Sequence, residues 1–223
     1  MKAIILAGGR GKRLRPVTDY VPKPLVPIKN IPIIEWQIRY LKKFGIDEII
    51  ISTGYKKEMI KSYLDVKKIE GVKIRYSVEK TPLGTGGAIK KAGKMIEEES
   101  FFVINGDVIT DIDLSKIVKK TNTLAAIELR TDFGTLETDS HKIIKFKEKK
   151  EILDLWMNAG IYHLQKKILK DLPVKGDIEK TVFPEYAKNG KLYTIKFKNV
   201  AWYSIDSFKD MEESAKEIEN IVK

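Results

Sequence analysis

The run from Lys2 to Ala7 is apolar after its first residue and ends directly on Gly8-Gly9. A strand that is apolar on both faces belongs inside a sheet covered on both sides. The same rhythm continues. Ile33, Trp36, Ile38, Tyr40 and Leu41 form an imperfect helical stripe that Gly45 stops. Glu48 to Thr53 reads as a second strand, Glu58 to Leu64 as a short helix and Val72 to Val78 as a third strand. Ala88 to Glu98 follows as a helix and Phe101 to Ile104 as a fourth strand. Strand and helix alternating at this spacing predict a parallel sheet with right-handed crossovers.

After Asp107 the pattern changes. Leu124 to Leu129, Gly134 to Thr138 and Ile143 to Phe146 read as shorter strands with turns between them. Met157 to His163 and Leu192 to Phe197 are further strands, Glu179 to Lys188 a helix and Phe208 to Val222 a closing helix. Asp111 and Asp113 suit a turn and a cap ahead of Leu114 to Lys119. No repeat, low-complexity tract or linker interrupts the chain. The expectation is one α/β domain over residues 1–223 whose second half adds strands and loops around a pocket.

Composition removes several chemistries. The chain has no cysteine, which excludes a disulfide framework, a zinc ribbon and a thiol nucleophile. Its two histidines, His141 and His163, are too few for a metal site built on imidazole. No stretch approaches the roughly 18 consecutive apolar residues of a membrane span. The start, MKAIILAGG, lacks the features of a signal peptide, so a soluble, cytoplasmic protein is expected. A net charge of +11 favours anionic partners. Most basic residues lie in runs such as KKAGKMIEEE that read as solvated helix faces. Lys2, Arg10, Lys12, Arg13, Arg15 and Lys23 differ, because they surround glycines and face Asp19 alone.

The glycine-rich segment Leu6-Ala7-Gly8-Gly9-Arg10-Gly11-Lys12-Arg13-Leu14 therefore suits a polyphosphate approached by backbone N–H groups. It is not a P-loop: Leu6 stands where the first glycine belongs, and Arg13 replaces the Ser or Thr after Lys12. Nor is it a dinucleotide fingerprint. Leu14 takes the place of the third glycine, and the second strand ends Ser52-Thr53-Gly54 without an acid. Arg13 offers a rigid fork of donors, and Lys23 a movable point charge.

The string Gly-Gly-x-Gly-x-Arg-Leu-x-Pro-x-Thr, followed by Pro22-Lys23-Pro24, resembles the signature of the sugar-1-phosphate nucleotidyltransferases, or NDP-sugar pyrophosphorylases. Further matches are Pro82 to Gly87, Asn105-Gly106-Asp107, Glu148-Lys149, Asn158-Ala159-Gly160, and Glu179 with Phe183-Pro184. The resemblance implies a Rossmann-like three-layer domain with a mostly parallel mixed sheet, the nucleotide-diphospho-sugar transferase fold. Residues 1–110 would form the nucleotide-binding half and 111–223 the sugar-phosphate half. Longer relatives carry a C-terminal β-helix, which is not expected here, and small relatives commonly form homodimers.

The resemblance also assigns roles. Leu6, Ala7, Gly8, Gly9, Gly11, Arg13, Glu79, Gly84 and Thr85 carry over to the nucleotide. Gly134, Glu148, Lys149, Asn158 and Glu179 carry over to the sugar phosphate, with Lys149 on its phosphate. Arg13, Lys23, Asp107 and Asp206 form the implied catalytic set. Asp107, just past an apolar strand, would hold Mg²⁺. The second metal carboxylate departs from the commonest pattern, Trp-x-Asp-x-Gly-Thr, because the string here is Trp202-Tyr203-Ser204-Ile205-Asp206-Ser207. Ser204 lies under the usual Asp. Asp206 is the expected second ligand, as in a cytidylyltransferase-like branch, although Asp206 or Ser207 also suits the N-cap of the closing helix.

Glu79 takes the position that contacts the base in relatives. A carboxylate only accepts hydrogen bonds, so it matches the adjacent N1 and N2 donors of guanine better than uracil, thymine or cytosine. The implied reaction joins GTP and a sugar 1-phosphate, mannose 1-phosphate or similar, giving an NDP-sugar and pyrophosphate. The alternatives are the same reaction with UTP, dTTP or CTP and glucose 1-phosphate, a non-catalytic nucleotide-binding paralogue, and a basic nucleic-acid-binding module. The last would need exposed aromatics among its basic residues, whereas Trp36, Tyr40, Phe44 and Phe101 read as core. Nucleic acid and membrane are thus not expected partners.

Overall fold

The computed structural model describes residues 1–129, 134–147 and 155–221. The strands are β1 (Lys2–Ala7), β2 (Pro27–Ile28), β3 (Ile31–Pro32), β4 (Glu48–Thr53), β5 (Lys73–Val78), β6 (Ser100–Asn105), β7 (Val108–Thr110), β8 (Thr123–Glu128), β9 (Thr135–Asp139), β10 (Lys142–Lys147), β11 (Trp156–Gln165), β12 (Tyr193–Phe197) and β13 (Trp202–Ser204). The helices are α1 (Val17–Tyr20), α2 (Ile33–Lys43), α3 (Lys57–Lys67), α4 (Gly84–Gly93), α5 (Leu114–Ile117), α6 (Val182–Lys188) and α7 (Phe208–Ile221).

Seven strands form one sheet in the order β12-β8-β11-β6-β1-β4-β5. β1 pairs in parallel with β4 and β6, β4 with β5, and β12 with β8. Only β11 runs against its neighbours in that sheet. Ile4, Ile5, Ile49, Ile50 and Ile51 are wholly buried, as strands covered on both faces require. One face packs Ile34, Ile38 and Leu41 of α2 and Ile60 and Leu64 of α3. The other packs Ile89 and Ala92 of α4 and Val182 and Phe183 of α6. The chain moves outward from β1 to β4 and β5 with α2 and α3 on the first face. It then returns to β6 with α4 on the second, so the crossovers keep one hand.

This reversal leaves a crevice at the carboxyl ends of β1 and β6, where open α/β sheets bind ligands. The two strand ends are in close contact there. Gly106 N–H donates to Leu6 O at 3.0 Å, and a Cβ on Gly106 would lie only 2.3 Å from that oxygen. A third apolar cluster, including Leu14, Val26, Ile28, Trp36, Ile205 and Ile218, seats the loop after β1 and helix α7 beside the crevice.

Several helix boundaries differ from expectation, and two of them bear on the site. The helix expected over Ala88 to Glu98 runs instead from Gly84 to Gly93. Its glycines are poor helix formers, but a Cβ on Gly87 would lie 2.6 Å from Val174 O, so only glycine lets the loop around Val174 pack this closely. The helix expected to begin at Glu179 begins at Val182. Glu179 lies in the preceding turn, so it is not a first-turn acid of that helix. Trp36, Tyr40 and Phe101 are buried and Phe44 is partly buried. No described helix is long and apolar enough to cross a membrane.

Candidate active site

A cavity of about 340 Å³ opens at the crevice. Leu6, Ala7, Gly8 and Gly9 line it from the end of β1, and Asn105, Gly106 and Asp107 from the end of β6. Glu79 enters from the end of β5, Gly84 and Thr85 from the start of α4, and Lys23 and Pro24 from a short 3-10 turn over Lys23–Leu25. Asp177, which sequence patterning did not single out, completes the wall; it lies in a loop with no local signature.

All four of the expected catalytic residues meet at one point. Lys23 Nζ lies 2.7 Å from Asp107 Oδ2 and 2.7 Å from Asp206 Oδ1. Arg13 Nη2 lies 2.9 Å from the same Asp206 oxygen, with its side chain 75% exposed and open to an incoming anion. The two carboxylates come from opposite halves of the chain and are held by the short β7–β13 pairing. Ile205 N–H donates to Asp107 O at 2.9 Å, which fixes the two loops against each other.

The helix-cap alternative for Asp206 has a structural answer. Ser207 Oγ accepts from Asp210 N–H at 3.2 Å, and Asp210 Oδ2 accepts from Ser207 N–H at 2.7 Å. That reciprocal pair is a capping box, and it leaves the Asp206 carboxylate turned towards Lys23. Ser204 Oγ donates to Asp206 Oδ2 at 3.1 Å, so the serine supports the carboxylate beside it. Asp113 caps α5 by accepting from Ser115 N–H at 2.9 Å.

Two carboxylates gathered on one ammonium suit a divalent cation. Magnesium takes one or two protein carboxylates and completes its shell with phosphate oxygens and water. Among the described residues no group of three His, Asp or Glu converges as a self-sufficient metal cage. The donor set therefore fits a metal that arrives with a phosphorylated ligand.

Glu79 is fixed by three contacts. Its N–H donates to Thr53 O at 2.7 Å, while its carboxylate accepts from Ser52 Oγ at 3.0 Å and from Leu83 N–H at 3.0 Å. Each oxygen keeps a free lone pair for a donor in the cavity.

A second polar network runs beside the first. Thr85 donates to Glu179 Oε2, and Tyr162 OH donates to Glu179 Oε1 at 3.1 Å. Asn158 Nδ2 donates to the same phenol oxygen at 2.9 Å. Burial, and then the Glu179 charge, push the Tyr162 phenol far above its ordinary value, so it stays protonated. Asn158, Glu179 and Thr85 are thus brought together, with Tyr162 as a member that sequence patterning missed because it reads as strand core. Gly134 lies immediately before β9 and is not among the described cavity-lining residues. Gly11 lies beside the cavity rather than in its wall, its carbonyl accepting from Thr18 Oγ1 at 2.8 Å. Glu148 and Lys149 lie outside the described residues.

Known proteins resemble this chain over most of its length. D-glycero-alpha-D-manno-heptose 1-phosphate guanylyltransferase of Aneurinibacillus thermoaerophilus is 43% identical over 178 residues, 76% of this chain and 77% of that protein. Mannose-1-phosphate guanyltransferase beta-A of Xenopus laevis is 36% identical over 94% of this chain and 62% of its own length. The crystal structure of HddC from Yersinia pseudotuberculosis complexed with GMP-PN has a TM-score of 0.76 and 30% identity, covering 97% of this chain and 98% of that one. The model of the family described as "Nucleotidyl transferase" matches residues 2–221, so glycine loop, paired carboxylates and closing helix all fall within the match. This chain belongs to the nucleotidyl transferase family.

Proposed function

We propose that this chain transfers a guanylyl group from GTP to a manno-configured sugar 1-phosphate, giving a GDP-sugar and pyrophosphate. The observation that carries this reading is the fixed Glu79 carboxylate in the same cavity as Lys23 and Asp107. An acceptor-only group at the base end selects the paired N–H edge of guanine. The guanylyltransferase relatives support the same base, and their names support mannose 1-phosphate or a manno-heptose 1-phosphate as acceptor.

The sugar phosphate oxygen attacks the α-phosphorus in line, the bond to the β-phosphate oxygen breaks, and pyrophosphate leaves. The attacking phosphate is already anionic, so no side chain need remove a proton. Catalysis then rests on alignment and on neutralising charge. Asp107 and Asp206 would hold Mg²⁺, which when bound screens the charge around the α-phosphate. Gly8 and Gly9 let the polyphosphate approach the backbone, and Arg13 and Lys23 offset its charge. Lys149 is assigned to the acceptor phosphate, and Asn158 and Glu179 to the sugar hydroxyls. The family supports a cytoplasmic enzyme.

Pyrophosphate release from a panel of four NTPs against several sugar 1-phosphates tests this directly. GTP with a manno-configured 1-phosphate should give the highest kcat/KM. A higher value for UTP, dTTP or CTP overturns the base assignment, and no release from any pair overturns the activity.

A further inference from the structure

We propose that Gln37 is a positioning residue that holds the Asp107 carboxylate at its seat opposite Asp206. The inference rests on the reading of Asp107 as a metal-holding carboxylate.

Gln37 projects from the middle of α2 and is 2% exposed. Its Nε2 donates twice, to Asn105 O at 2.7 Å and to Val108 O at 2.9 Å. Those two carbonyls bracket Asp107 on the turn between β6 and β7. Of the two carbonyls between them, that of Asp107 itself is taken by Ile205 N–H at 2.9 Å. Carbonyls of Asn105, Asp107 and Val108 are thereby fixed from two directions, one from a helix and one from the loop that carries Asp206.

The other end of the Gln37 amide gives nothing back. Gln37 Oε1 is buried without a partner among the described residues. A buried amide that leaves its oxygen unsatisfied is a poor way to stabilise a helix. Leucine or methionine would fill that volume without an orphaned side-chain oxygen, but neither could donate to the Asn105 and Val108 carbonyls. What only an NH₂ group supplies is the double donation across the Asp107 turn. A β-turn left to itself has several backbone states of similar energy, and a carboxylate on it would wander by more than a metal shell tolerates. The clamp removes that freedom before any ligand arrives.

The test uses Mn²⁺ as a spectroscopic probe and the whole protein. Free Mn²⁺ is titrated by EPR with wild type, Gln37→Leu and Gln37→Glu, each in the presence of saturating GTP. Gln37→Glu keeps the shape but offers at most one donor, and only when protonated, so it cannot make both bonds and serves if Gln37→Leu does not fold. Ile38→Val, a core change on the neighbouring helix position, reports the effect of lost stability alone. Both Gln37 variants should weaken Mn²⁺ binding at least fivefold, and metal-free GTP affinity should stay within twofold. Ile38→Val should leave the Mn²⁺ midpoint in place even where its Tm falls as far. Gln37 variants that lose Tm but keep the wild-type midpoint overturn the proposal. Asp107→Ala separates the two levels: if it also leaves the midpoint unchanged, the metal reading itself fails, whereas loss of binding in Asp107→Ala alone condemns only Gln37.

Discussion

The carboxylate of Glu79 occupies the space that a Cβ on Gly8 would need. The glycine that begins the phosphate-facing loop is therefore also the wall against which the base-end carboxylate rests. Gly8→Ala must push the Glu79 side chain aside, because the obstructing atom is the end of a flexible chain and not backbone. The expected result is a folded protein with a displaced acceptor. Its KM for GTP should rise about 10- to 100-fold, the worth of a charge-assisted hydrogen bond. Selectivity for GTP over UTP should fall in parallel, with Tm within a few degrees of wild type. Steady-state kinetics on both nucleotides, with a melting curve, checks this.

Glu79→Gln makes the complementary change. An amide matches the acceptor–donor edge of uracil and leaves one guanine donor facing an NH₂ group. GTP turnover per KM should drop, and the UTP value should rise relative to it. Kinetics in which both nucleotides fall equally would show that Glu79 does not face the base.

Glu35 gives a pH prediction away from the site. It is buried on α2, 2.6 Å from Arg39 Nη2 and 3.4 Å from Lys67 Nζ, and accepts from Tyr63 OH. Burial alone would raise its pKa, but the Tyr63 bond and the two cations together bring it below the ordinary 4.5. A carboxyl with a depressed folded pKa stabilises the protein above its unfolded value and loses that contribution as pH falls through the folded one. Glu35→Gln should therefore cost roughly 1.5–3 kcal/mol at pH 7. In urea melts the gap to wild type should narrow as pH drops below 4. A constant gap at all pH values would refute the ionised form as the source.

How much of this was legible in the chain depends on the range of the interactions. β1 and β4 begin and end where the apolar runs do, because a two-sided strand announces itself in consecutive residues. The capping box of Ser207 and Asp210 is likewise local, an S-x-x-D string. The convergence on Lys23 is not, since its two partners lie 84 and 183 residues away. Only the family resemblance pointed to it. Gln37 was invisible for a different reason: a helical stripe is read from its apolar members, and a buried polar residue between Trp36 and Ile38 counts as an imperfection. Gly84 to Gly87 hid a helix start, because propensity opposes it and only packing against the Val174 loop explains it. Glu179 reads as the start of a helix in the sequence but lies in the turn before Val182, its contacts with Thr85 and Tyr162 being set by tertiary structure.

The division of labour between Ser204 and Asp206 yields a graded prediction. Asp206 Oδ1 receives Lys23 and Arg13, whereas Ser204 contributes a single 3.1 Å hydrogen bond to Asp206 Oδ2. If Asp206 is the second metal carboxylate, Asp206→Asn should lower kcat by about 10³-fold, as losing a preorganised charge-stabilising group does. Asp107→Ala should do at least as much. Ser204→Ala removes one neutral hydroxyl and should cost less than about tenfold. Restoring the commoner family residue by Ser204→Asp gives the Asp206→Asn variant a second carboxylate again but should not rescue it fully, because β13 ends at position 204 while Asp206 lies beyond it in the loop. Activity of Asp206→Asn within tenfold of wild type, or a larger loss in Ser204→Ala than in Asp206→Asn, would move the second ligand away from Asp206. Mn²⁺ titration of the same variants ties the kinetic order to metal binding.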